Sequence, residues 1–167
     1  MTLWTVIATG PSLKQDDVDY VRGKCKVVAV SNAYTVAPWA DCLVSHDRNW
    51  WRHYPEAMNF EGPKYCRFEL NGTERFNPFG MPIGCNSGLM GMYVAQSLGA
   101  SKILLLGFDM KGSHFFGRHG GTLTNTTKQR FSQHLHQFRH FKGCEVINCN
   151  PDSALTRFPF GDIRSIL

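Results

Sequence analysis

Thr5-Val6-Ile7-Ala8-Thr9-Gly10-Pro11-Ser12-Leu13 decides the fold. Val6, Ile7 and Ala8 form the short apolar run of a parallel strand covered on both faces. Gly10 permits a sharp turn and a close backbone approach. Pro11 suits the first turn of a following helix, having no N–H to leave unpaired. Ser12 sets a hydroxyl beside the turn's free amides, the kind of place where open α/β sheets collect phosphates. The motif is neither G-x-G-x-x-G nor a Walker A loop, so an ordinary strand–helix turn is the competing reading.

Working outward, the same alternation recurs. A helix over 14–22 carries Asp16, Asp17 and Asp19 early, as the helix dipole prefers. Strands follow at 26–30, 42–45 and 64–69. The tip of the second carries Asn32, able to read a base or ribose or simply to form an Asx turn. The third runs into His46 and Asp47. The segment 49–54 reads as a short helix ended by Pro55; of the adjacent Trp50 and Trp51, one is expected in the core and one at a site or partner. Residues 71–84, rich in Gly, Pro and Asn, read as an irregular loop. A clear helix follows, with Asn86 or Ser87 as N-cap and Gly99 as stop; its first amides, including Gly88, can hold an anion. The strand 102–107 is the most apolar, and its tip leads through Asp109 into the histidine-bearing loop 111–121. A long helix over 126–141, with His134, His136 and His140 assigned to its surface or core, and a strand at 145–149 complete the pattern. Strand–helix alternation predicts a single α/β domain over 1–167, Rossmann-like, with a mainly parallel doubly wound sheet. The polar residues gather at the strands' carboxyl ends, where such sheets bind ligands.

Composition narrows the function. With 43% hydrophobic and 19% charged residues, the chain belongs to neither the disordered nor the membrane-spanning class. A net charge of +5 favours an anionic partner. The basic residues are scattered, which favours a small anion over a nucleic-acid duplex. Six cysteines without a C-x-x-C pair argue for a reduced, cytoplasmic protein, without a zinc site or disulfide framework. The N-terminal apolar run meets Gly10-Pro11 too soon for a signal peptide. Four Trp and twelve Phe lead us to expect a homo-oligomer.

The segments together resemble a known group. Gly10-Pro11-Ser12-Leu13-Lys14 matches the signature shared by CMP-sialic-acid-dependent sialyltransferases of the Campylobacter type and by MptE-like hydroxymethylpterin diphosphokinase domains. Agreement continues in islands at Asn86-Ser87-Gly88, at Gly107-Phe108-Asp109 and at Pro151-Asp152-Ser153-Ala154-Leu155. Small tailed-phage proteins are similar in the loop from His114 to His119 and in the ending from Ser153 to Pro159. That likeness implies the cytoplasm of a host cell. The sialyltransferase resemblance implies that Gly10, Ser12 and Asn32 hold a nucleotide, with Pro11, Asn86, Gly88 and Asp109 in the same site. It gives Ser87 the donor's carboxylate and makes His119 or His114 the general base. The chain departs from that group in lacking room for an acceptor-covering lid and in having Phe115 and Phe116 where loop tyrosines are expected. His46 stands in the place of an asparagine.

The expected function is therefore nucleotide binding with transfer from a nucleotide-activated donor. His119 would take the acceptor's proton, and Arg118 or Lys111 would offset phosphate charge. Arg118 is also expected to keep His119 neutral. No metal is needed on this reading. A diphosphokinase or phosphohydrolase reading would need Mg2+, with Asp47 and Asp109 as its carboxylates. A third reading is a nucleotide-sequestering protein without activity.

Overall fold

The computed structural model describes residues 2–167. Seven strands form one sheet in which every pairing is parallel, in the order β5-β4-β3-β2-β1-β6-β7. They are β1 (Leu3–Ile7), β2 (Lys26–Val30), β3 (Cys42–Val44), β4 (Lys64–Cys66), β5 (Glu74–Arg75), β6 (Lys102–Leu106) and β7 (Glu145–Asn148). From β1 the chain steps outward on one side through β5, then crosses back to place β6 against β1's other edge. The strand order thus reverses between β1 and β6, and such a switch point opens a crevice at the strands' carboxyl ends.

Both faces are covered, which explains the apolar runs. Val6, Val28 and Leu105 face one core; Ile7, Val27 and Leu104 face the other. Helix α3 (Ser87–Ser97) packs on the first face, with Leu89, Met90 and Met92 fully buried. Helices α1 (Gln15–Val21) and α2 (Arg48–His53) cover the second. A last short helix, α5 (Ile163–Ile166), joins that side through Ile163. Helix α4 (Lys128–Gln137) differs from the rest in having no fully buried residue.

Several expectations are corrected. The loop 71–84 contains β5, whose two residues are too few to show any periodicity. The fourth strand stops at Cys66. Helix α1 begins at Gln15, beyond a turn at Pro11 and Ser12, so Pro11 does not open it. The long helix ends at Gln137 and tightens into a 3-10 turn over Phe138–His140. Trp50 and Trp51 are both buried, with ring centroids 4.9 Å apart and edge to face. They supply no surface for self-association; the fully exposed large apolar side chains are Phe79 and Ile83.

Candidate functional site

At the switch point lies a cavity of about 630 Å3. Its floor is made by residues just beyond four strands: Gly10 after β1, Ser31 after β2, His46 after β3 and Phe108 after β6. The start of α3 and the loop 111–126 form its walls. Ser31 and Met110, both lining it, hold left-handed backbone with φ of 48° and 55°. Such conformations are costly for residues other than glycine and concentrate at functional sites.

The first turn is closed on itself. Gly10 N–H donates to the Gly107 carbonyl at 2.7 Å and Leu13 N–H to the Gly10 carbonyl at 3.1 Å. Ser12 gives both its amide (3.3 Å) and its hydroxyl (2.8 Å) to the Asp109 carboxylate. The Asn150 side-chain amide donates to the other Asp109 oxygen at 2.8 Å. Asp109 thus occupies, as a built-in anion, the place the sequence suggested for a phosphate. A Cβ on Gly10 would collide with that carboxylate and with the Gly107 carbonyl, so close packing is reason enough for glycine here. Ser12, Pro11, Asn32 and Asp109 do not line the cavity. Asn32 is buried and accepts the Trp50 indole N–H at 2.8 Å.

The free donors lie instead at α3. Asn86 caps the helix by accepting the Leu89 amide at 2.7 Å. Among the described residues no protein group accepts the Ser87 and Gly88 amides, and both residues line the cavity. The Ser87 hydroxyl accepts the His46 amide at 2.9 Å, which leaves its own proton to donate. A helix N-terminus with two open amides and a hydroxyl suits a carboxylate or phosphate.

The histidine loop folds over this site. His114 and Gly117 exchange backbone hydrogen bonds, both 2.9 Å, and Phe115 N–H donates to the Thr9 carbonyl at 2.8 Å. Asn125 closes the loop by pairing with both the amide and the carbonyl of His119. His114 Nδ1 shares a 2.6 Å hydrogen bond with the Thr9 hydroxyl, and its ring stacks on Phe116. His119 Nδ1 shares one of 2.7 Å with the Tyr54 hydroxyl. The two imidazoles lie 4.6 Å apart, centroid to centroid. With each Nδ1 held by the body, Nε2 is the nitrogen left for a ligand.

Burial, then His114 and His53, lower the pKa of His119 to about 4. Arg118, expected to keep it neutral, is not among the causes. Nor does the ring titrate near neutrality, as an ordinary imidazole would. His46 is also lowered to about 4, by burial first and then by Arg67, with Asp47 opposing. Burial lowers His114, and burial with Arg130 lowers His134. The cavity holds the permanent cations Lys111, Arg118 and Arg130 against one carboxylate, Asp47. An anion is the ligand that field selects.

Of the residues singled out in the sequence, Gly10, His46, Asp47, Asn86, Ser87 and Gly88 meet in this cavity, together with Lys111, His114, Arg118 and His119. Of the two suspected magnesium carboxylates, Asp109 clamps the turn, while Asp47 lines the cavity and also caps α2 by accepting the Asn49 amide at 2.9 Å. Among the described residues no three His, Cys, Asp or Glu gather into a cluster that could hold a cation by themselves. Sequence reasoning missed Tyr54, and Arg130 and His134 of α4; Trp50, though buried, is the one of the tryptophan pair that borders the cavity, as expected of one of them. For α4 the signal was present: residues four apart share a helix face, so Arg130 and His134 had to face one way together.

No protein-family model matches the chain, and no curated protein matches it in sequence. Among solved structures, the MAf glycosyltransferase from Magnetospirillum magneticum AMB-1 superposes with a TM-score of 0.68 at 13% identity. The match covers 98% of this chain but 34% of that one, so the likeness is one of fold, to about a third of a larger glycosyltransferase.

Proposed function

We propose that the protein binds a nucleotide-activated donor across the strand tips and transfers its activated group to an acceptor hydroxyl. One observation carries this reading: a cationic cavity at the switch point lined both by two anchored imidazoles and by an open helix N-terminus. The Ser87 and Gly88 amides receive a carboxylate or phosphate of the donor, while Lys111 and Arg130 offset charge on the departing phosphate. His119 Nε2 takes the acceptor's proton as the acceptor oxygen bonds to the donor carbon. The bond from that carbon to the phosphate oxygen breaks, and the nucleotide leaves with the electron pair. Support at the level of fold comes from the glycosyltransferase likeness.

The test is a thermal-shift and calorimetric screen of nucleotides and nucleotide sugars, with and without Mg2+, followed by measurement of nucleotide release. A ligand at a hundredfold excess over its Kd adds about 2.7 kcal/mol. For a domain of this size that raises Tm by roughly 5–10 °C. His119→Ala is expected to keep nucleotide affinity within about twofold and to lose about a hundredfold or more in turnover. Magnesium-dependent binding of ATP alone would favour the diphosphokinase reading. Nucleotide binding without release would leave a sequestering protein, and no nucleotide binding at all would refute the proposal.

A further inference from the structure

A second cavity, of about 830 Å3, adjoins the first. The two share the wall formed by Met110 to Ser113, Arg118, Asn125 and Thr126. Beyond that wall the second cavity runs along α4, using Lys128, Ser132 and Leu135, with Phe131 lining both cavities. These positions fall on one helix face by their three- and four-residue spacing. Phe131 and Leu135 are only half-buried, and the remainder of their apolar surface borders the cavity. Its charged lining residues are Lys111, Arg118 and Lys128, with no Asp or Glu among them.

We propose that this second cavity binds the acceptor, and that the acceptor is a small molecule bearing a phosphate beside an apolar portion. Its role as acceptor rests on the transfer reading above; its ligand chemistry does not. Three cations without a carboxylate select the anionic group. The Phe131–Leu135 face takes the apolar portion, since an aromatic and an aliphatic side chain left half-open gain by being covered. The shared wall carries Arg118, one residue from His119. On this proposal a hydroxyl of the bound acceptor enters the first cavity, which His119 lines, across that shared wall. When transfer occurs, its proton passes to His119 Nε2 and its oxygen bonds to the donor carbon while the nucleotide leaves.

Hexyl phosphate, used dilute and monomeric, is titrated into the full chain by calorimetry, with inorganic phosphate and hexanol alongside. Hexyl phosphate is expected to bind at least tenfold tighter than either. Lys128→Glu and Leu135→Asn should each weaken it tenfold or more while changing CMP affinity less than twofold. The proposal is overturned if both variants bind hexyl phosphate as the parent does, if inorganic phosphate binds equally well, or if CMP displaces hexyl phosphate competitively. Binding to vesicles containing phosphatidic acid, without binding of monomeric hexyl phosphate, also overturns it and assigns the cations to a membrane surface. Should CMP fail to bind while hexyl phosphate shows the stated dependence on Lys128, the cavity's ligand class stands and the nucleotide reading falls.

Discussion

His46 and His119 carry the site's clearest physical signature. Each is held to a pKa of about 4 against the ordinary value of 6.5, chiefly because burial disfavours the imidazolium. The unfolded chain therefore binds more protons than the folded one between those values, and stability falls as pH falls through that window. His114 and His134 are lowered as well and add in the same direction. Tm should be flat above about pH 7 and should decline between roughly pH 6.5 and 4. His46→Gln or His119→Gln should flatten that decline; a parent and variants with identical pH dependence would show that these imidazoles do not set it. The same shift shapes the proposed chemistry. A base of pKa about 4 is neutral and ready at pH 7 but intrinsically weak, and the arriving donor phosphate strengthens it by favouring the charged form. Profiles of kcat/KM, which report the free protein, should bend near pH 4, whereas kcat should bend at a higher pH. Tyr54 belongs to this balance, because the proton shared with His119 Nδ1 decides whether Nε2 can accept one.

At the scale of elements, the turn after β1 and the turn after β6 form one structural unit. Gly10, Gly107, Ser12, Asp109 and Asn150 tie the ends of β1, β6 and β7 together by direct hydrogen bonds. Gly10→Ala would drive a Cβ into backbone and carboxylate that cannot yield, and should cost about 1–3 kcal/mol or more, as overpacking does. Asp109→Asn keeps the shape but gives up charge-assisted hydrogen bonds worth about 1.5–3 kcal/mol. Chemical denaturation should show both losses, with nucleotide affinity per folded molecule retained; a folded, fully stable Asp109→Asn that no longer binds nucleotide would instead make Asp109 a ligand-binding residue. This unit also marks how far sequence could be read. The apolar run through Ile7 and the glycine after it announced a strand and a tight turn, because those are local properties. The partner of Ser12 lies 97 residues away, and no local pattern tells a turn that awaits an anion from one that already holds a carboxylate. Likewise β5 escaped notice because its pairing with β4, not its composition, makes it a strand. The loop 111–121 was legible as neither helix nor strand from its histidines and glycines, and its place at the cavity followed from β6 before it, whereas its anchors, Thr9 and Tyr54, come from distant elements.

The whole molecule divides into a rigid floor and a thinner roof. The floor is the sheet with α3: β1, β2 and β6 pair along their full lengths, and α3 buries Leu89, Met90, Met92 and Val94 completely. The roof is the segment 111–137, where α4 has no fully buried residue and Lys111, Arg118 and Lys128 are exposed. It is attached to the body by hydrogen bonds at Thr9, Tyr54 and Ile83 and by Leu123 and Leu135, which are only partly buried against the two cores. Local opening free energies follow buried apolar contact, so the roof should open far more often than the floor unfolds. The first cavity lies between the two, and an occupant would bridge roof to floor by pairing with Arg130 or Lys111 above and with the Ser87 and Gly88 amides below. In hydrogen exchange, the backbone amides of 111–137 should therefore exchange well before those of β1, β6 and α3. A nucleotide donor should slow the roof selectively, by a factor approaching its concentration divided by its Kd if it binds only the closed form. Uniform exchange across the chain would show that the roof is as firmly packed as the sheet. Protection confined to the floor would mean that the ligand binds without engaging the histidine loop, and would remove His114 and His119 from the site.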